Sequence, residues 1–471
     1  MKKYFFVARS GAGFAATLFL TALFLSSCTK TDHKDLWKAV VVPASPVSDA
    51  APLAGTIKGT MLAGKTYTIG ADVFINVGDT LTIQEGVTVA FTGPYGLGVK
   101  GSLICLGTKD HPNWFTYRGA TKTDQQGMDP NKDSAYKGRW IGIIGATTSP
   151  MMIFKWTHIE YGGTAIPATS AIKQIFASPY PMFFQNPAGI LVFEDSWLYG
   201  SVDDPFRILG GKIAILRSTF EKCGYLGGEA MNAKAGTIGD FAYNLCIGMA
   251  TNGPKLSNSG AAVGVPGSNV RMYNNTIVNC GYRRQASGRG GSINFEEGAA
   301  GMAYNNIIVN CKFGLRVVQN PIADTANLRY GYNYTYADSI SVANNIYPSL
   351  AVSVCITQAV GTDMPAPSTI LPAGWKPGDI YSAPNSLLGT NDPQFINGPV
   401  PMPKGLNLAD ISTVGSYNFR LKTSSPCIGK SYTAFGPRGD VPVDPIRGVT
   451  ELTPPGRDLG AFQLNGSGNQ H

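Results

Sequence analysis

The sequence predicts an all-β solenoid, a parallel β-helix, and three observations carry that expectation. Tyr273-Asn274-Asn275-Thr276-Ile277-Val278-Asn279-Cys280 recurs as Tyr304-Asn305-Asn306-Ile307-Ile308-Val309-Asn310-Cys311, with seven of eight positions identical at an offset of 31 residues. Weaker copies give apolar anchors at Ile159, Trp197, Phe220, Cys246, Ile277 and Ile308, spaced by 23 to 38 residues. A short repeated strand with loops of unequal length suits coils stacked ~4.8 Å apart, because a loop can leave one coil without disturbing the stack. The third observation is compositional. The 471 residues include 57 Gly and 31 Pro, and only 14% are charged. That density of turn residues and paucity of charge excludes a coiled coil, and the high apolar content excludes a disordered chain.

The chain opens on a targeting segment. Lys2, Lys3 and Arg9 precede an apolar run from about residue 11 to 25. That run is short for a membrane span of ~20 residues. It ends at Leu25-Ser26-Ser27-Cys28, which resembles the lipobox of bacterial lipoproteins. The resemblance implies cleavage before Cys28, with diacylglycerol on its thiol and an acylated amine. Thr29, rather than Asp, follows it, which by analogy favours the outer membrane of a Gram-negative cell, on either its periplasmic or its surface side. The expected organisation is a signal peptide over 1–27, a flexible tether over 28–55, the β-helix over 56–336, an irregular extension with terminal coils over 337–463, and a disordered tail over 464–471.

Within 59–107, alternating segments at 66–69, 80–83, 87–91, 97–99 and 103–105 read as strands punctuated by Gly. Asn suits the coil corners because it tolerates the left-handed region and bonds neighbouring backbone. Stacked coils then predict amide ladders of Asn275 on Asn306 and of Asn279 on Asn310. They also place Cys280 beside Cys311. Parallel Cβ vectors fit a disulfide poorly, so a reduced packed pair is expected.

Several segments resemble secreted right-handed parallel β-helix proteins with the pectate-lyase-like fold. They are 78–87, 99–103, Trp140-Ile141-Gly142-Ile143 and Ile159-Glu160-Tyr161-Gly162-Gly163. The closing segments 391–395, 417–421, 425–429 and 458–462 look like the ends of such chains. The resemblance implies a right-handed solenoid. That fold hosts lyases, hydrolases, esterases and adhesins, so it does not by itself assign an activity.

Charge and cysteine usage narrow the partners. Without residues 1–27 the formal charge falls from +8 to +5 with no long basic run, so no nucleic-acid partner is expected. Seven cysteines remain after Cys28, no C-x-x-C occurs and only four His are present, so neither a full disulfide framework nor a zinc site is expected. A polygalacturonase-like site would need a Gly-His-Gly beside clustered Asp, which is absent despite Asp203-Asp204. Gly236-Thr237-Ile238-Gly239-Asp240-Phe241 resembles a pectin methylesterase segment with one Gly inserted, and Asp240 reads as a turn residue.

Lyases of this fold neutralise a uronate carboxylate with Ca²⁺ or a basic side chain and remove the C5 proton with a base. Candidate acidic groups are Glu194, Asp195, Asp203 and Asp204. Candidate bases are Arg283, Arg284 and Arg289, some three coils further on. The densest cationic loop is 281–291, followed by Glu296 and Glu297, and it marks Tyr282, Arg283, Arg284, Arg289, Glu296 and Glu297 as a candidate glycan-binding set. Two functions follow. One is a non-catalytic glycan-binding or structural lipoprotein of the outer membrane, held in the lipid through Cys28, with no cofactor. The other is a polysaccharide lyase acting on an acidic glycan, with Ca²⁺ as a cofactor it could use. An uncharged aromatic groove favours the first, and a full acidic cluster with a neighbouring base on one face favours the second.

Overall fold

The computed structural model describes residues 45–120, 133–225, 227–284, 290–319, 322–338, 392–399 and 417–471, together with the backbone of 355–359 and 380–381. The chain winds as a right-handed parallel β-helix with three strands per coil. One face is a ten-stranded parallel sheet that runs from Gly59–Met61 to Leu328–Gly331. The second face includes Asn113–Tyr117, Thr157–Gly162, Trp197–Ser201, Thr219–Cys223, Leu245–Ile247, Thr276–Val278 and Ile307–Val309. The third stacks Gly142–Gly145, Met182–Phe184, Phe206–Ile208, Met231–Ala233, Pro254–Ser257, Asn294–Glu296 and Arg316–Gln319. The strand Thr66–Ile75 bends across the second and third faces and pairs on both.

Strand alternation explains the core. Inward positions carry Phe115, Phe154, Phe193, Phe206, Phe220 and Phe241, all fully buried and in mutual edge or stacked contact. Aromatic pairs at these separations add about 0.5–1.5 kcal/mol each beyond area burial.

The corner between the first and second faces has one construction in seven coils. Trp156, Asp195, Arg217, Tyr243, Asn274, Asn305 and Tyr332 all adopt φ between 46° and 62°. Left-handed backbone costs an ordinary L-residue roughly 1–2 kcal/mol. In six of these coils the next residue offsets that cost by supplying a side-chain oxygen to the coil before it. Backbone N–H groups of Thr157, Ser196, Ser218, Asn244, Asn275 and Asn306 donate to Ser196 Oγ, Ser218 Oγ, Asn244 Oδ1, Asn275 Oδ1, Asn306 Oδ1 and Asn333 Oδ1, at 2.9–3.2 Å. The expected Asn275–Asn306 pair is therefore one step of a longer ladder. Asn279 and Asn310 also sit at left-handed corners, with φ of 52° and 49°, but no amide bond joins them. Asn310 Nδ2 donates to Asp338 instead, and the other side-chain amide bond between these two repeats is Asn305 Nδ2 to Asn274 Oδ1.

Four expectations on organisation are corrected. The stack begins before residue 56, since Leu53–Thr56 already pairs with Thr66–Ile75. Residues 417–463 do not form terminal coils. Asn418–Leu421 pairs antiparallel with Phe395–Asn397, and the chain then runs back over the first two faces. The tail is ordered rather than disordered: 464–467 form an exposed turn and 468–471 pack on the coils, with Asn469 Nδ2 donating to Ser218 O and Tyr243 O and His471 against His158. Asp240 lies within the strand Thr237–Ala242, not in a turn, and both its oxygens accept the N–H of Arg438.

A buried ion network fastens the returning segment. Glu194 faces Lys155 at 3.6 Å and also pairs with Arg217, which grips Asp195 through two bonds of 2.8 Å. Thr450 donates to Glu194, and Arg217 and Lys155 donate to Thr453 and Pro445. These partners commit Glu194 and Asp195 to architecture and remove them from the candidate acidic ligands. The returning segment packs on the first two faces, and the candidate site lies on the third.

Candidate functional site

On the third face, small triplets place one polar side chain outward between two inward apolar ones. Phe206-Arg207-Ile208 and Met231-Asn232-Ala233 show the pattern, and Leu256 and Phe295 continue the inward row. Cross-strand register stacks the outward residues as Arg207, Asn232, Lys255, Asn294 and Arg316, one per coil. Upstream, the insertion carrying Ala171–Gln174 covers the face, with Phe176 stacked on Phe183 at 3.8 Å. Tyr180 closes that end, with the Arg207 guanidinium 5.0 Å over its ring.

Downstream of Tyr180 lies a cavity of about 330 Å³ with charged and polar walls. Its acids are Asp203, Asp204, Glu229, Glu296 and Glu297, and its bases are Arg207, Lys234, Lys255 and Arg284. Asp204 is fully buried. Its Oδ1 accepts the N–H groups of Gly228 and Glu229, and its Oδ2 accepts Asn232 Nδ2 at 2.9 Å and faces Arg207 at 3.1 Å. Glu229 meets Lys255 at 2.9 Å, and Lys255 lies 3.8 Å from Glu296. Lys234 donates to Ser257 Oγ at 3.1 Å and Ser259 Oγ at 2.6 Å, and Ser257 in turn donates to Glu297.

The electrostatics follow from that burial. Burial and the neighbouring Glu229 push the Asp204 carboxyl well above the ordinary range. Burial also opposes the charge on Glu229, but Lys255 and the bond to Asp204 hold it below its ordinary value. Burial lowers Lys234 to about 8, aided by repulsion from Lys255 and Arg207. Burial opposes the Lys255 ammonium too, yet Glu229 and Glu296 outweigh it and raise the amine above its usual value.

Oxygens of Asp203, Asp204 and Glu229 lie within 4.8 Å of one another, the nearest approach to a metal cluster among the described residues. Calcium takes six to eight oxygen ligands at about 2.3–2.6 Å. These carboxylates are already occupied by three backbone N–H groups, two side-chain amides, a guanidinium and an ammonium, so the residues present do not fit a calcium ion.

The candidate glycan-binding set is divided by the structure. Arg283 is buried and donates to the carbonyls of Gly224, Cys223 and Gly248 while stacking on Tyr136 at 4.5 Å. Tyr282 is buried at 6% exposure. Both are therefore withdrawn into the wall of the stack, and burial rather than charge decides that they present little surface to a glycan. Arg284, Glu296 and Glu297 line the cavity with Asp203 and Asp204. Arg289 lies outside the described residues, as does Cys28. Arg284 and Asp203, three coils apart, both line this cavity. Glu229, Arg207, Lys234 and Lys255 were not among the sequence candidates. The signal was present: single polar residues between apolar neighbours recur at coil spacing at 207, 232 and 255.

No protein-family model, curated protein or solved structure matches this chain. The site is therefore read on its own chemistry.

Proposed function

We propose that the protein is a polysaccharide lyase that cleaves an acidic glycan by β-elimination in the cavity of the third face. The observation that carries this reading is Lys234, an amine lowered to about 8 beside Arg207 and Arg284. About one amine in ten is then neutral at pH 7, which suits a general base. Arg207 and Arg284 offer guanidinium groups to a uronate carboxylate and so acidify the C5 proton. Lys234 Nζ takes that proton, the electron pair forms the C4–C5 double bond, and the C4–O4 bond breaks. The departing O4 takes a proton from water. A charged cavity rather than an uncharged aromatic groove supports chemistry over simple adhesion. The row of coils along this face also gives a linear polymer a trough. We further propose that Cys28 carries the lipid that anchors the chain in the outer membrane, and that the fold is of the pectate-lyase-like type.

The test is release of unsaturated uronides from a panel of anionic polysaccharides, read by ultraviolet absorbance, with wild type and Lys234→Ala. Wild type should release them and the variant should not, with unchanged circular dichroism. Retention of a polysaccharide without release would leave the glycan-binding reading in place of the lyase.

A further inference from the structure

The outward row of the third face changes character at one step. Cross-strand register stacks Phe74, Gly98, Ile144 and Phe183, then Arg207, Asn232 and Lys255. The upstream positions carry no polar side chain, and the insertion between Thr157–Gly162 and Met182–Phe184 lies on them. Ile172 is fully buried there, and Ile166, Ile175 and Phe176 pack against the cluster of Ile144 and Phe183. Gly98 permits the close approach, since a Cβ at that position would lie 2.8 Å from Ile175 Cδ1. Asp72 Oδ2 accepts the Ser170 hydroxyl at 2.6 Å and the Ala171 N–H at 3.1 Å, and Gln185 Nε2 donates to Ile175 O at 3.3 Å. An apolar underside and bonds to two separate coils make the insertion a fixed wall.

The cavity begins where that wall ends. Tyr180 is buried at its edge, with the Arg207 guanidinium over the ring. Lys234 lies one coil further on, just past the strand Met231–Ala233. Coils rise by ~4.8 Å, close to the length of a sugar unit, so about one or two units span the distance from wall to base. The floor is closed, because Asn232, Lys255 and Ser257 are buried. Among the lining residues Ser259 is exposed, and Lys234 and Glu297 are half-buried, all downstream of the wall. At about 330 Å³ the space is at the low end for a small-molecule pocket. It is blocked toward the upstream coils and open toward the downstream ones.

We infer that this cavity takes the end of an acidic glycan chain and not its interior, with the insertion over 163–181 as the stop. The inference rests on the reading of the cavity as a glycan site and deepens it. An interior segment continues on both sides of the bond to be cut, and its upstream continuation would run into Phe176 and Tyr180. A chain end has no such continuation. Arg207, held against the wall, then meets the carboxylate of a terminal unit. Acting as a lyase, the protein shortens chains by about one or two units per cut.

Binding stoichiometry tests this, with polygalacturonate and alginate fractionated by size from tetramers to long polymers. Lys234→Ala is titrated by calorimetry, so that chains are not consumed. It should saturate at one protein per chain whatever the length, and tetramers should bind within about threefold of the polymer. Saturation that rises in proportion to chain length would overturn the inference and leave the glycan reading intact. Wild type should raise ultraviolet absorbance with little loss of viscosity, and an early collapse of viscosity would overturn the inference equally. Replacing 166–180 by a Gly-Ser linker should convert the folded protein to length-dependent saturation. A folded linker variant still limited to one protein per chain would show that the wall is not the stop, and the wild-type measurements decide if that variant does not fold. End-limited binding without uronide release would count against the lyase and leave the chain-end inference standing. Wild type and Lys234→Ala that bind none of these chains would overturn both.

Discussion

Asn275 donates its Nδ2–H to Asn306 Oδ1 at 2.9 Å, and the same oxygen accepts the Asn275 backbone N–H at 3.0 Å. Asn306 in turn donates to Asn333 Oδ1 and to Met272 O. One side chain therefore satisfies buried groups in the coils on either side of it.

Asn306→Ala should destabilise the protein by about 2–4 kcal/mol, because a buried backbone N–H left without a partner costs about 1–3 kcal/mol by itself. Asn306→Asp should be less severe, since it keeps the acceptor. Urea unfolding midpoints check both. An Asn306→Ala midpoint equal to wild type would remove the ladder as a source of stability.

Arg283 and Arg284 are neighbours in sequence with opposite expected phenotypes. Arg283→Ala strips donors from three buried carbonyls and should lower stability by about 2–3 kcal/mol, as charged hydrogen bonds are lost. Arg284→Ala should leave the unfolding midpoint within about 0.5 kcal/mol of wild type, as for a surface change. It should also weaken retention on acidic polysaccharide affinity gels. Reversal of the two phenotypes would show that the loop is arranged differently.

Asp240 is pushed up to about 7, chiefly by burial, against the Arg438 N–H bonds and the nearby Arg271. Its ordinary value is 3.8, so between the two the folded chain holds a proton that the unfolded chain has released. The contribution is complete below pH 4 and is lost as pH rises through 7. Asp240→Asn keeps an acceptor for Arg438 without the titration. It should gain stability relative to wild type between pH 5 and 8, by on the order of 2–4 kcal/mol at the upper end. Urea unfolding across that range measures it, and a parallel pH dependence in the variant would assign the effect elsewhere.

Cys28→Ala should leave the precursor unprocessed or shift the protein out of the membrane fraction. Intact mass and fractionation read this directly. A variant that still fractionates with membranes at the mass of the mature wild type would show that Cys28 carries no lipid.

Cys280 and Cys311 are both reduced and fully buried, like the other described cysteines at 105, 223, 246 and 427. Burial raises the Cys311 thiol well above its ordinary value, and contact with Cys280 adds to this. Alkylation should therefore be slow in native buffer and complete in denaturant. A bridged Cys280–Cys311 peptide in an unreduced digest would contradict the packing.

The repeat at Tyr273–Cys280 and Tyr304–Cys311 determined the fold class from sequence alone. Parallel stacking turns identical residues into vertical neighbours, so similarity along the chain maps directly onto contact. The Asn275–Asn306 step was legible for that reason. Its extension through Ser218 and Ser196 was not, because a serine hydroxyl supplies the equivalent oxygen there. The cleft was legible only in part. Arg284, Glu296 and Glu297 stood out as charges in a chain sparing of them, whereas Arg283 stood out equally and proved to be a clamp on backbone carbonyls. Composition reports that a charge exists, not which way its side chain points. Glu229, Lys255 and Glu296 come from separate coils of unequal length, and only the register of the stacked strands brings the Lys255 ammonium within 4 Å of both carboxylates. The sequence alone determined a stacked β-helix with Asn-bearing corners. The tertiary structure decided which charges meet, because coil length varies while coil spacing does not.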